Sequence, residues 1–188
     1  MRYVTLRQFN NVLTVVILFG TLYVAGAPFI PAFNWWAKHS APIISKPVIT
    51  KAPAASAPVP DDDTLVIPGM ELTETLHEGP NAGQLKFGVW HLPSTGNPLD
   101  GGNMVLAGHR FTYQGAAVFY NLDKIKLGDD MTLYWHHKRY DYTVRQVIVV
   151  APTDVAVQAP TDKPQLTVFT CTPLWTSKQR LVLIGTPS

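Results

Sequence analysis

The longest feature of the hydrophobic pattern is a stretch without charge. From Gln8 to Ala37 no residue is charged, and Val12 to Ile30 is almost continuously apolar. As a helix rising about 1.5 Å per residue, that run comes close to spanning a hydrocarbon core of roughly 30 Å. Arg2 and Arg7 precede it, and Trp35 and Trp36 follow it. Cationic residues on the first flank predict a cytoplasmic N-terminus, and the tryptophans fall where an interfacial aromatic belt would sit. Two other readings compete. Ala25-Gly26-Ala27 has the small-x-small form of a signal-peptidase site. Pro28 would then follow the cut, where its locked backbone fits a peptidase poorly. A buried core helix is disfavoured by the length and the missing polar face. Residues 1–37 are therefore expected to be a cytoplasmic start and single-pass membrane anchor, with the rest of the chain outside the cytoplasm.

Residues 38–63 read as a linker. Pro42, Pro47, Pro53, Pro58 and Pro60 recur among Ala, Ser and Val, and Asp61-Asp62-Asp63 closes the stretch. Proline at this density favours extended polyproline II, a semi-rigid spacer. The Asp triplet reads as a solvated domain edge. From Thr64 the texture changes to short β-like runs broken by Gly, Pro, Asn and Asp. Leu65-Val66-Ile67 stops at Pro68-Gly69, and Asn103 to Ala107 ends at Gly108. Met131 to Trp135 and Tyr140 to Val150 flank His136-His137-Lys138-Arg139, the pattern of a hairpin. Leu166 to Thr170 and Leu181 to Ile184 supply two more strands. Helical spacing occurs only near Ala116 to Ile125, where Val118, Phe119, Leu122 and Ile125 line up. Many short strands with little helix predict a closed or sandwiched all-β domain over residues 64–188.

Composition changes this picture little. A chain of 188 residues with 46% hydrophobic content holds one ordinary domain with a real core, plus something extra. The net charge of +2 has no Lys/Arg stripe behind it, so nucleic acid is not an expected partner. One cysteine excludes an internal disulfide framework. In an exported domain, a free thiol that persists needs a reason.

That thiol is Cys171, at the end of Thr167-Val168-Phe169-Thr170-Cys171. A strand terminus opening into a loop places a side chain on a rigid element at the rim of a sheet. A thiol with a pKa near 8.5 is only a few per cent thiolate at neutral pH, and a neighbouring cation would raise that fraction. His109, in Leu106-Ala107-Gly108-His109-Arg110, also sits just past a strand. Arg180 opens the apolar run Leu181 to Ile184, so it is expected on a neighbouring strand after a tight connection from Cys171. A nucleophile, an imidazole and a fixed cation are what acyl transfer through a thioester requires. The bland alternatives are an inert core cysteine, a turn histidine and a surface charge ending a strand, a reading that Arg110 and Lys178 also fit. His39, His77, His91, His136 and His137 carry no catalytic argument. No His or Cys pairing has zinc-site spacing, so no metal is expected.

In order and context these pieces resemble the sortases, the cysteine transpeptidases of bacterial surfaces. The resemblance covers roughly residues 64–186. It rests on Ala107-Gly108-His109-Arg110, on Thr167-Val168-Phe169-Thr170-Cys171, and on Arg180 with its apolar strand. Gly88-Val89-Trp90-His91-Leu92-Pro93 also looks like a segment that many housekeeping-like or class D/E sortases carry ahead of the histidine. Val168 stands where leucine is usual, an exchange that keeps the position apolar and β-favouring.

The resemblance implies an eight-stranded sortase-type β-barrel with one or two short helices, and Cys171, His109 and Arg180 as catalytic residues. Cys171 would attack the threonine carbonyl of an LPxTG-like sorting signal and form a thioacyl enzyme, with hydrolysis as a side activity. His109 would serve as general acid and then general base, and Arg180 would bind substrate and stabilise the tetrahedral intermediate. The implied partners are surface proteins bearing such signals, an amine acceptor on a peptidoglycan precursor or another surface protein, and the membrane. No cofactor is implied. Calcium dependence occurs among relatives through loop carboxylates that this sequence does not identify. The lid motif and second membrane helix of pilin-polymerising class C enzymes do not show in the sequence, which favours a housekeeping-like or class D/E type. Leu92-Pro93-Ser94-Thr95-Gly96 matches a sorting signal, but Pro and Gly there make a turn more simply. The competing expectation is a catalytically silent anchored β-domain that binds wall polymer or surface proteins.

Overall fold

The computed structural model describes residues 6–39 and 59–188. The chain falls into two compact units, Met1–Lys51 and Ala52–Ser188. Most of the expected proline-rich linker lies outside the described residues.

In the first unit, helix α1 spans Leu6–Gly26, a 3-10 turn spans Ala27–Phe29, and helix α2 spans Ile30–His39. Pro28 and Pro31 fall where one helix gives way to the next, as residues that cannot sustain an interior helical hydrogen bond should. None of the residues of α1 is buried, and its mean hydropathy of 1.6 over an 18-residue window makes it long and apolar enough to cross a membrane. Its hydroxyls do not need water. Thr14 Oγ1 donates to Asn10 O at 2.9 Å, and Thr21 Oγ1 to Ile17 O at 2.6 Å. At the far end of α2, His39 stacks on Trp35 with ring centroids 3.9 Å apart.

The second unit is a closed barrel of eight strands in the order β1-β2-β3-β4-β9-β10-β8-β7. These are β1 Thr64–Ile67, β2 Leu72–His77, β3 Val89–His91, β4 Asn103–Ala107, β7 Asp130–Trp135, β8 Lys138–Val150, β9 Gln165–Thr172 and β10 Gln179–Pro187. A separate two-stranded hairpin joins β5 Phe111–Thr112 to β6 Gly115–Ala116. Neighbours run antiparallel except for β2 with β3 and β4 with β9, which are parallel. Closure between β1 and β7 removes the exposed edges of an open sheet. The β7–β8 turn is two residues long, with His136 at φ 48° and His137 at φ 60°. Both are left-handed, as the twist of a tight hairpin demands.

Side chains of β4 and β9 alternate between two covered faces. Met104, Leu106, Leu166, Val168 and Thr170 are at most 1% exposed and belong to one face. On the other, Val105 and Ala107 cluster with Leu92, and Leu85, Trp90 and Phe169 pack against them. Asn103 begins that second column and is 2% exposed. Its Nδ2 donates to Val157 O and Ala159 O, each at 3.0 Å, while Oδ1 accepts from Thr167 Oγ1 at 2.7 Å and Gln165 Nε2 at 3.2 Å. Asn103 thereby pins the β8–β9 connection across the sheet. Asn103→Leu strands these partners and is expected to cost about 2 kcal/mol or more, read as a lower urea midpoint at unchanged slope.

Two expectations need correction. The Ala116–Ile125 segment is not an α-helix: Gly115–Ala116 is β6, and only Leu122–Lys124 makes a 3-10 turn. Phe119 N donates to His109 O and Ala117 N to Arg110 O, so these amides serve the segment after β4 and not a helical ladder. The helical spacing reflects burial of Phe119, Leu122 and Ile125 from a turn. The Asp triplet is more than a solvated edge. Asp63 Oδ1 accepts from His136 N at 2.6 Å, and Asp63 O from Leu76 N at 2.8 Å, so the barrel's hydrogen bonding starts before Thr64.

Candidate active site

Three adjacent strands, β4, β9 and β10, bring the sequence candidates to one rim. In the antiparallel pair β9–β10, Arg180 lies directly opposite Cys171. Directly opposed residues project from the same face with Cβ atoms about 5 Å apart. In the parallel pair β4–β9, Ala107 stands beside Phe169. Gly108 N still donates to Phe169 O at 3.3 Å, and Thr170 Oγ1 donates to Gly108 O at 2.8 Å. His109 follows the end of β4 by two residues, as Cys171 follows Phe169 by two on β9, so both candidates lie just past the end of the β4–β9 ladder. His109, Cys171 and Arg180 are all half-buried, and the thiol is free.

Gly108 is a close-approach position. A Cβ there would meet Phe119 Cδ2 at 2.5 Å and Val118 Cγ1 at 2.7 Å, and Phe119 is fully buried. Gly108→Ala is expected to destabilise the barrel by about 1–3 kcal/mol through overpacking. A wild-type melting temperature in that variant would contradict the tight packing behind His109.

An open cleft of about 230 Å³ adjoins Cys171. One wall is the β5–β6 hairpin, whose Tyr113 is 97% exposed. The other is the β9–β10 connection with Pro173, Leu174 and Trp175. The walls touch where Phe111 meets Trp175, with ring centroids 4.3 Å apart. The Arg180 side chain is held at the base of that connection. Its Nη1 donates to Ser177 O at 3.1 Å and to Gln179 O at 3.0 Å.

Arg110 differs from its sequence reading. It is not a surface charge: it is 7% exposed and lines the same cleft as Cys171. Nη2 pairs with Asp123 Oδ2 at 3.0 Å, and Nη1 donates to Thr172 Oγ1 at 2.8 Å. The available signal was its place directly after His109, inside the same motif.

The remaining motifs resolve into structure. His91 is buried, with Nδ1 on Glu78 Oε1 and Nε2 near Gly96 O at 3.1 Å and Thr95 Oγ1 at 3.2 Å. Thr95 Oγ1 donates to Leu92 O at 2.8 Å, and Gly96 N to Asn103 O at 2.7 Å. A Cβ on Gly96 would come within 2.5 Å of Gly101 O, so only glycine fits. The internal Leu92–Gly96 stretch is thus a turn fastened to β4. His136 and His137 are exposed turn residues. Among the described residues no group of His, Cys, Asp or Glu could hold a metal ion.

Fold and rim together define an eight-stranded barrel domain with a free thiol at a strand end, facing an arginine across the ladder. A family model described as the Sortase domain matches residues 65–188, and the chain belongs to the sortase family. It is 32% identical over 84 residues to Sortase A of Bacillus anthracis, covering 45% of this chain and 40% of that protein. The chain spans about half the length, or less, of the curated relatives it matches. Among solved structures, a lid mutant of Sortase A from Corynebacterium diphtheriae superposes with a TM-score of 0.62 at 26% identity, covering 72% of this chain and 73% of that one. A Sortase D5 transpeptidase from Clostridium perfringens gives 0.60 at 25% identity, covering 68% and 78%.

Proposed function

We propose that this protein is a membrane-anchored cysteine transpeptidase. It cleaves an LPxTG-like sorting signal at the Thr-Gly bond and passes the acyl group to an amine on the cell wall or on another surface protein. The observation that carries this reading is the Cys171–Arg180 cross-strand pair beside the segment bearing His109, in a domain matched by the sortase family.

The chemistry runs in two halves. Cys171 gives its proton to His109, and its sulfur attacks the threonine carbonyl carbon. Negative charge gathers on the carbonyl oxygen, where the Arg180 guanidinium donates hydrogen bonds. The C–N bond then breaks, His109 returns the proton to the departing glycine amine, and a thioester remains on Cys171. In the second half an acceptor amine attacks the thioester and gives its proton to His109. The C–S bond breaks, a new amide forms, and the proton goes back to the thiol. Water in place of the amine gives hydrolysis.

The chain is read as a cytoplasmic start and anchor at 1–37, a spacer at 38–63 and a catalytic domain at 64–188. Helix α1, at about 1.5 Å per residue, has the reach to cross the bilayer with the barrel outside the cytoplasm. In this reading the site meets exported substrates held in the same membrane. The test is transpeptidation in detergent with LPxTG-like and LAxTG-like peptides plus an added amine. The expected product carries the amine on the threonine carbonyl. A folded protein with an alkylatable thiol that acts on no peptide would favour a silent binding domain.

A further inference from the structure

A guanidinium at 7% exposure is an uncommon burial, and Arg110 sits one residue past His109. Its three nitrogens reach two other segments, the turn at Tyr120–Asp123 and the end of β9. Nε donates to Tyr120 O at 3.3 Å, Nη2 pairs with Asp123 Oδ2 at 3.0 Å, and Nη1 donates to Thr172 Oγ1 at 2.8 Å. Thr172 is the residue after Cys171. For stability alone, an apolar side chain in such a place would often serve as well as a buried ion pair. A planar fork that ties its own segment to two others at fixed angles supplies geometry that an apolar residue does not.

The location of the tie explains its use. His109 and Cys171 both lie past the parallel ladder of β4 and β9, whose pairing runs to Ala107 and Phe169 and is extended by Gly108 N on Phe169 O. The bond from Arg110 to Thr172 carries the link between the two strands beyond that point, on the far side of both candidate residues. The segment around Arg110 is itself secured, since Ala117 N donates to Arg110 O at 3.2 Å and Phe119 N to His109 O at 2.9 Å.

We infer that Arg110 is a positioning residue for the transfer reaction: through the Thr172 hydroxyl it fixes the Cys171 end of β9 against the segment that carries His109. The inference rests on the reading of Cys171 and His109 as nucleophile and general acid–base. The Arg110 nitrogens are engaged by Tyr120, Asp123 and Thr172, so in this inference Arg110 takes no part in the proton transfer. Its contribution is the distance and angle between the groups that do, where a displacement near 1 Å can cost about 100-fold in rate.

The test uses the full-length protein in detergent, a sorting-signal peptide and three variants. Thr172→Val keeps the shape and removes the hydroxyl, Thr172→Ser restores it, and Arg110→Lys keeps the charge without the fork. Thr172→Val is expected to lower kcat for thioacylation about tenfold, with KM within about twofold. Thr172→Ser should return kcat to within about twofold of wild type. Arg110→Lys and Thr172→Val together should cost less than the product of the two single effects, because both break the link to Thr172. Should Arg110→Lys not fold, the valine–serine pair decides alone. Wild-type kcat in Thr172→Val, or no recovery in Thr172→Ser, overturns the inference. Absence of a thioacyl adduct in the wild type itself would instead bring down the reading of Cys171, and this inference with it.

Discussion

Cys171→Ala is expected to abolish thioacylation and transpeptidation altogether while the barrel stays folded. The two halves of that expectation have separate grounds. Chemically, alanine offers no nucleophile, and no second thiol exists in the chain to substitute for it. Structurally, Cys171 is half-buried next to an open cleft, so removing its sulfur leaves no sealed cavity in the core. The backbone pairing of Cys171 with Arg180 is independent of the side chain and should survive. The check is product formation by mass spectrometry alongside a thermal melt. Residual turnover above background in a folded Cys171→Ala protein would remove the covalent mechanism.

Removing either partner of the thiol is the second large effect. In the proposed mechanism His109→Ala deletes the group that passes the thiol proton to the leaving amine and the acceptor-amine proton to the thiol, a role worth about 100- to 10,000-fold. In the same proposed mechanism Arg180→Ala removes hydrogen bonds to the developing oxyanion, worth about 100- to 1,000-fold. Neither side chain is buried core, so both variants should fold. The effects differ in kind. Loss of His109 should slow both acylation and release of the thioester. Loss of Arg180 should weaken every step through a tetrahedral intermediate. Arg180→Lys should recover little, since an ammonium lacks the planar fork. Single-turnover rates of adduct formation and decay separate these outcomes. Unfolding of Arg180→Ala would point to its bonds with Ser177 O and Gln179 O as structural.

The strands that could be read from the chain are those whose apolar runs stop at Gly or Pro. Leu65-Val66-Ile67 before Pro68-Gly69 and Asn103–Ala107 before Gly108 became β1 and β4 with little change. β2 was not legible: Leu72 and Leu76 are its only buried residues, four apart, which is a helical spacing. β3 is three residues long and too short to show a period. The reverse error occurred at Phe119, Leu122 and Ile125, whose helical spacing comes from a turn that buries all three. Cys171, His109 and Arg180 were proposed from sequence because each ends or begins an apolar run, and the structure sets Cys171 opposite Arg180. Arg110 was misread because its burial depends on Asp123 and Thr172, contacts that no local pattern records. Asn103 and Asp63 escaped for the same reason. Asn103's partners Val157 and Ala159 come from the β8–β9 connection, and Asp63's partner His136 comes from the far side of the β1–β7 closure, both distant in sequence.

The most direct test of the central claim is to trap the acyl enzyme. The full-length protein is mixed with LPxTG-like and LAxTG-like peptides without an amine acceptor, and its intact mass is followed with time. The account predicts a mass gain equal to the peptide up to its threonine, localised to Cys171 and discharged when an amine is added. A folded wild-type protein whose thiol can be alkylated, yet which gains no such mass with any peptide in the series, would contradict it.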